Sequence, residues 1–357
     1  MSFASSLDAR RHALFKCCVI MFASMVCLDG VASGADPILK PHIARWYGNR
    51  KAALSLRFDD SLESHVEYVI PKLNEDGIKA TFMVSPGRTQ YRKYKDFWEN
   101  KVPRMGHHLG NHTMHHRGAN SLEEADHEIG EVSRLLWKLY PDQSRLKVFA
   151  SGGGKKWGGM DWELAPPDNE YKKFVEKYFL IDLYDGKHPA HSTHSRLSVQ
   201  ELCSAVDKAT RDGRHLPFMF HGIGTPGIMD RLKTLYRGYD LVVPRATFEG
   251  LLDCVDTKKA DLWVAPLLDI LKYEAERSGS RLEIVSKGKN KIRLSLSVGT
   301  DPELYDHDLT LVIPKRKNRP ISSIVQANGR VGRTVEGSND VLVNVRPVDG
   351  NIDLEYQ

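Results

Sequence analysis

Ala52-Ala53-Leu54-Ser55-Leu56-Arg57-Phe58-Asp59-Asp60-Ser61 decides the fold: an apolar run breaks off at two adjacent carboxylates. A short apolar run of this kind reads as a buried strand, and helix-like spacing begins at Leu62, so the acids sit at a strand-to-helix junction. Alone, such a pair would usually cap a helix. The same alternation recurs outward along the chain. Lys79 to Val84, His107 to Thr113, Arg145 to Ala150, Phe179 to Leu183, His215 to His221 and Asp261 to Ala265 read as strands. Ser121 to Tyr140 is the best helix, with Ser121 and Glu124 at capping-box spacing and apolar residues at Ile129, Val132, Leu135, Leu136 and Leu139. Ser198 to Thr210, Leu251 to Asp256 and Leu267 to Glu276 read as further helices.

Strands alternating with helices define an α/β domain on parallel strands. A doubly wound open sheet and a distorted (β/α) barrel both fit this pattern, and both put chemistry at the strand carboxyl ends. After Gly279 the helices stop. Lys291 to Val298, His307 to Ile313, Ser322 to Gln326, Val341 to Val345 and Asn351 to Tyr356 read as short strands of a small β-sandwich-like domain, residues 280–357. That segment holds no cluster of titratable groups with site-like spacing.

Arg10, Arg11 and Lys16 precede the apolar run Cys17 to Leu28, and Val31-Ala32-Ser33-Gly34-Ala35 follows. That order is expected of a secretory signal peptide over residues 1–34, leaving 35–279 for the α/β domain. The apolar run is short of the roughly 20 residues needed to span a bilayer, so no stable membrane insertion is expected after cleavage. Export implies a periplasmic or secreted protein, with only Cys203 and Cys254 left in an oxidising compartment. Both lie in amphipathic stretches. Burial as two small residues is therefore preferred to their pairing.

Apolar residues make up 41% and charged residues 27%, an ordinary globular composition that excludes extended disorder. The net charge of +5 is not gathered into a basic block interleaved with aromatics, so a nucleic-acid partner is not expected.

Histidines 107, 108, 112, 115 and 116 crowd a single stretch, Gly106-His107-His108-Leu109-Gly110-Asn111-His112-Thr113-Met114-His115-His116. His112 and His116, four apart, can converge on one ion, and a carboxylate from another strand end completes three ligands with a position open for water.

This stretch and Leu56-Arg57-Phe58-Asp59-Asp60-Ser61 resemble the first two motifs of the polysaccharide deacetylases, carbohydrate esterase family four. The resemblance covers roughly residues 50–275 and implies the distorted barrel rather than the open sheet. It makes Asp60, His112 and His116 ligands of one divalent ion, most simply zinc, with cobalt, nickel and manganese as alternatives. Asp59 becomes the general base. His221, ending Leu216-Pro217-Phe218-Met219-Phe220-His221, becomes the acid that protonates the departing amine, and Asp185 in Asp182-Leu183-Tyr184-Asp185-Gly186 the residue that tunes it. The implied activity is removal of N-acetyl groups from an amino-sugar glycan. Removal of O-acetyl groups from xylan-like sugars is the close variant, and a catalytically impaired carbohydrate-binding protein the rival.

The third motif departs from the family. Val148-Phe149-Ala150-Ser151-Gly152-Gly153-Gly154-Lys155-Lys156 lacks the arginine that would orient the base. Backbone N–H groups near Gly153 are candidates to line the substrate oxygen, and Trp157 and Tyr184 are candidates to stack on a sugar ring. Strand alternation offers a replacement for the arginine. Arg57 and Asp59 are two apart and share a face, so Arg57 is expected to orient Asp59.

Overall fold

The computed structural model describes residues 40–152, 155–224, 241–316, 319–326, 329, 333–337 and 339–357. The expected signal segment 1–34 lies outside the described residues. Among those described, no helix is long and apolar enough to cross a membrane.

One parallel sheet carries the α/β part. Its order from one edge is Leu180–Asp182, Lys147–Phe149, His108–Asn111, Thr81–Val84, Ala52–Phe58, His215–Phe220 and His191–Ser192. Leu262–Val264 pairs with Ala52 to Leu54, beside the point where Thr81 and Phe82 take up pairing with Arg57 and Phe58. The outermost strands do not pair with each other among the described residues, so the sheet is a half-barrel, the distorted (β/α) barrel that the motifs imply.

Side-chain alternation along Ala52–Phe58 gives the sheet two different faces. Leu54, Leu56 and Phe58 join the apolar cluster under the helices, where Phe58 stacks on Phe82 at 5.1 Å and on Phe220 at 5.2 Å. Ser55 and Arg57 point the other way, and Ser55 Oγ lies 2.9 Å from His215 Nε2. Truncating a buried aromatic such as Phe58 to alanine costs about 3–5 kcal/mol. The strand ends that carry the acids thus rest on a stiff aromatic floor.

Helix ends follow the sequence signals. Glu201 N–H donates to Ser198 Oγ at 3.2 Å and Ser198 N–H donates to Glu201 Oε2 at 2.8 Å, closing the expected capping box. At the other helix Ser121 Oγ accepts from Glu124 N–H, while the Glu124 carboxylate accepts from Asn120 N–H instead of from Ser121.

Cys203 and Cys254 are disulfide-bonded, with Cα atoms 5.8 Å apart, which corrects the expectation that they are separate buried residues. The physical reason is helix packing: Val199–Asp212 and Arg245–Thr257 run side by side, and Gly250 keeps them close. A Cβ at Gly250 would lie 2.7 Å from a Val199 methyl. Both cysteines are half-buried at that seam.

Two four-stranded antiparallel sheets face each other, all but one of their strands lying beyond Gly279. One is Ser280–Lys287, Lys291–Val298, Gly350–Tyr356 and Ile321–Gln326; the other is His42–Ile43, Leu309–Pro314, Asp340–Val345 and Arg333–Glu336. Ser280–Lys287, Arg333–Glu336 and His42–Ile43 were not expected as strands. Ser280–Lys287 is an edge strand exposed along most of its length, so it lacks the apolar alternation that betrays a half-buried strand. The sandwich core also takes in Trp46, Ala53, Ala265, Ile270 and Tyr273 from the α/β part, and residues 40–357 form one compact unit.

Candidate metal centre and its carboxylate base

The first motif supplies two carboxylates from a strained turn. Asp60 and Ser61 have φ of 80° and 53°, and Asp59 N–H donates to the Phe220 carbonyl at 2.9 Å, pinning the turn to the neighbouring strand. Thr113 and His116 also lie in the left-handed region, with φ of 63° and 54°. Each such non-glycine conformation costs of order 1 kcal/mol or more, and strain of this kind gathers at functional sites.

Asp60 Oδ1 lies 3.6 Å from His112 Nε2 and 3.2 Å from His116 Nε2. His112 Nδ1 is 2.9 Å from the Ala150 carbonyl, to which it can only donate, so Nε2 presents its lone pair toward Asp60. A carbonyl accepting from the far nitrogen in this way fixes the tautomer of a ligating histidine. The ligand-type atoms of Asp60, His112 and His116 lie within 4.8 Å of one another. Two imidazoles and a carboxylate with convergent lone pairs are a donor set that fits a divalent transition metal. Burial, with help from the nearby positive charges of Arg88 and Lys155 and against the pull of Asp60, pushes His116 down to about 3, which keeps it neutral. Burial alone would raise the Asp60 carboxyl, but His112, His116 and His221 outweigh it and hold Asp60 well below the usual carboxylate range. Arg88 Nη1 donates to Asp60 Oδ1 at 2.8 Å, a partner the sequence did not suggest.

Asp59 is held by Arg57. Arg57 Nε donates to Oδ1 at 2.7 Å and Nη2 to Oδ2 at 2.6 Å, a buried two-bond pair. Burial pulls the Asp59 carboxyl upward, while Arg57, His112 and His221 pull it further down, so the net direction is downward. Tyr184 lies beside Arg57, its hydroxyl 3.4 Å from Nη2 and the guanidinium 5.7 Å from its ring centre. Behind it, Asp182 accepts from Tyr184 N–H at 3.0 Å, from Trp162 Nε1 at 2.8 Å and from Lys172 Nζ at 2.8 Å.

His221 follows the strand His215–Phe220, and Phe220 pairs in register with Phe58. It therefore stands beside Asp59 and Asp60 at the carboxyl ends of adjacent strands. Burial lowers its pKa, against the opposing pull of Asp59 and Asp60.

Other expectations fare differently. Asp185 is exposed, and its carboxylate accepts from Lys187 N–H at 2.8 Å and faces Lys187 Nζ at 3.5 Å, so its described partners are in its own loop. Trp157 is 1% exposed and packs edge-on against Trp162 at 5.0 Å, so no ring face is open to a sugar. It is core. Tyr184 presents its ring to Arg57. Gly153 lies outside the described residues. Gly152 does have a visible reason: its φ is +77°, and a Cβ there would lie 2.7 Å from His116 Nε2.

His107 and His115 of the second motif are structural. His107 Nδ1 accepts from Ala80 N–H at 3.1 Å, and burial pushes the ring down to about 4. His115 N–H donates to Glu128 Oε2 at 2.8 Å and its Nδ1 to Oε1 at 2.7 Å, where Arg117 Nε also donates at 3.0 Å. His115, His127 and Glu128 form a second grouping of metal-ligand type. Its carboxylate is already committed to Arg117 and to the His115 backbone, which makes it a clamp on the loop that carries His116.

A half-barrel of parallel strands thus brings an aspartate and two histidines together at its strand ends. Residues 47–156 match the family model described as polysaccharide deacetylase. A curated relative, gellan lyase from a Bacillus species, is 21% identical over 296 residues, covering 76% of this chain and 11% of that protein. The chain thus spans about a tenth of that relative's length. A polysaccharide deacetylase structure from Bacillus cereus is 14% identical with a TM-score of 0.38, covering 60% of this chain and 91% of that one. A family 4 carbohydrate esterase from Streptomyces lividans in complex with acetate is 14% identical with a TM-score of 0.34, covering 61% and 94%. A CE4 family pseudoenzyme from Bacillus anthracis is 16% identical with a TM-score of 0.33, covering 62% and 69%. These likenesses are too distant for residue roles to be transferred.

Proposed function

We propose that the protein is an exported, metal-dependent hydrolase that removes N-acetyl groups from an amino-sugar polysaccharide or oligosaccharide. The observation that carries this reading is the convergence of Asp60, His112 and His116 beside a carboxylate that Arg57 immobilises. In it, Asp60, His112 and His116 hold the ion. A divalent ion held there, zinc most simply, would supply the Lewis acidity that activates water near neutral pH and polarises the acetyl carbonyl.

Asp59 stays ionised because Arg57 neutralises it, and its lone pairs not taken by Arg57 accept the proton of the attacking water. His221 stands across the strand ends and donates a proton to the departing nitrogen, so amide and water become amine and acetate. Arg57 takes the place of the missing third-motif arginine. Orientation of the base then comes from its own strand, which weakens the case for an impaired binding protein. Removal of O-acetyl groups uses the same residues. Asp185 would tune His221 only by loop movement. The disulfide between Cys203 and Cys254 supports an oxidising compartment, hence export.

The deciding experiment is acetate release by metal-loaded protein from chitooligosaccharides, peptidoglycan, poly-N-acetylglucosamine and acetylated xylan, with Asp59→Asn and His221→Ala as controls. Release from the amino-sugar glycans that both substitutions abolish is expected. No release from any of the four overturns the reading in favour of a binding protein.

A further inference from the structure

His65 takes no part in the chemistry above, yet it is fully buried and both ring nitrogens have partners. Leu62 N–H donates to Nδ1 at 3.2 Å, so Nδ1 carries a lone pair. The opposite nitrogen, Nε2, therefore bears the proton and donates to the His221 carbonyl at 2.6 Å. Burial pushes the ring down to about 4, consistent with this single neutral tautomer. Phe58 and Phe82 hold the ring from the core side, with centres at 5.5 and 5.8 Å.

The contact joins two parts of the site that lie far apart in sequence. Leu62 follows the strained Asp60-Ser61 turn, and His221 follows the strand His215–Phe220. Asp59 N–H already donates to Phe220 O, and Ser64 Oγ accepts from Ile223 N–H at 3.4 Å. His65 supplies the middle tie, on the peptide of His221 itself. A buried polar side chain whose two bonds end on a turn of the metal site and on the proposed acid does more than fill the core.

We propose that His65 is a positioning residue: through its hydrogen bond to the His221 carbonyl it sets the direction from which the His221 imidazole meets the departing nitrogen. This rests on the reading of His221 as proton donor. An acid displaced by about 1 Å loses on the order of a hundredfold in rate, without loss of substrate binding. The penalty falls only on leaving groups that need a proton. A nitrophenolate departs without one, whereas an amine does not.

His65→Phe keeps the ring packing on Phe58 and Phe82 and removes both hydrogen bonds; His65→Gln keeps a donor toward the His221 carbonyl. On an N-acetylated glycan, His65→Phe is expected to lower kcat between about tenfold and a hundredfold with KM within about twofold. His65→Gln should recover most of that loss. On 4-nitrophenyl acetate both variants should match the wild type, and bound metal per chain should not change. Equal loss on both substrates, loss of metal, or a kcat within about twofold of wild type on the glycan each overturns the proposal. Should His65→Phe fail to fold, His65→Asn, too short to reach the His221 carbonyl, carries the same comparison. Wild-type protein that releases no acetate from any substrate overturns the functional reading instead.

Discussion

Arg57 and Asp59, two residues apart on one strand, meet in a buried ion pair of 2.7 and 2.6 Å that fixes both oxygens of the carboxylate. Neighbours two apart on a strand share a face, so the pair needs no second element to align it. A guanidinium fork fits both oxygens at once, which a lysine ammonium does not.

Replacing Arg57 therefore tests the base directly. Arg57→Met should lower kcat/KM by about tenfold to a hundredfold. The loss of the guanidinium removes a cause that holds the Asp59 carboxyl down, while burial continues to raise it. The acidic limb of the kcat profile should move to higher pH. A limb that stays in place in a pH–rate series would show that Arg57 does not set the base.

Chelation should abolish acetate release, and zinc should restore it at one ion per chain. Asp60→Asn and His116→Ala should each lower metal affinity by well over about tenfold, read by calorimetric titration. Adding back cobalt, nickel or manganese ranks the alternatives.

Gly152→Ala examines the altered third motif. The new methyl meets the His116 ring at 2.7 Å on a backbone with φ +77°, so the ring must shift or the loop must rearrange. Metal affinity should fall by about tenfold or more with the circular dichroism spectrum unchanged.

Glu276 gives a pH test of the barrel–sandwich seam. Its Oε1 accepts from His307 N–H at 2.8 Å, and burial raises its carboxyl from 4.5 to about 8. The folded protein thus keeps a proton that the unfolded chain releases above the ordinary carboxyl range. This group favours folding less and less as pH rises toward about 8. Glu276→Gln cannot ionise, so its melting temperature relative to wild type should rise by roughly several degrees between pH 5 and pH 9. A difference that does not vary with pH in thermal scans would count against it.

The disulfide should be worth about 2–4 kcal/mol, since it closes a loop of sequence separation 51. Cys203→Ser with Cys254→Ser should unfold at lower denaturant in non-reducing buffer, and should match wild type held in reductant.

The strand Ala52–Phe58, the capping box at Ser198 and the histidine-rich stretch were legible because each signal lies within a few residues. The Arg57–Asp59 pair was legible for the same reason. His65 was not, because its partner is 156 residues away and an isolated histidine in an apolar helix start looks like core. Arg88 and Gly152 were missed likewise, since their meaning lies in Asp60 and His116 across the site. Trp157 misled because aromatic residues near a cleft have the same appearance in sequence whether they face in or out. The cysteines misled because amphipathic spacing locates a helix without saying what lies against it.

His42–Ile43 pairs antiparallel with Leu309–Pro314, so a strand that precedes the barrel is locked by one that the ribosome makes only after the barrel. The core around Trp46 is shared in the same way. A nascent chain that has reached only the barrel cannot close that seam, and the early strand waits with its edge unsatisfied until Leu309–Pro314 has emerged.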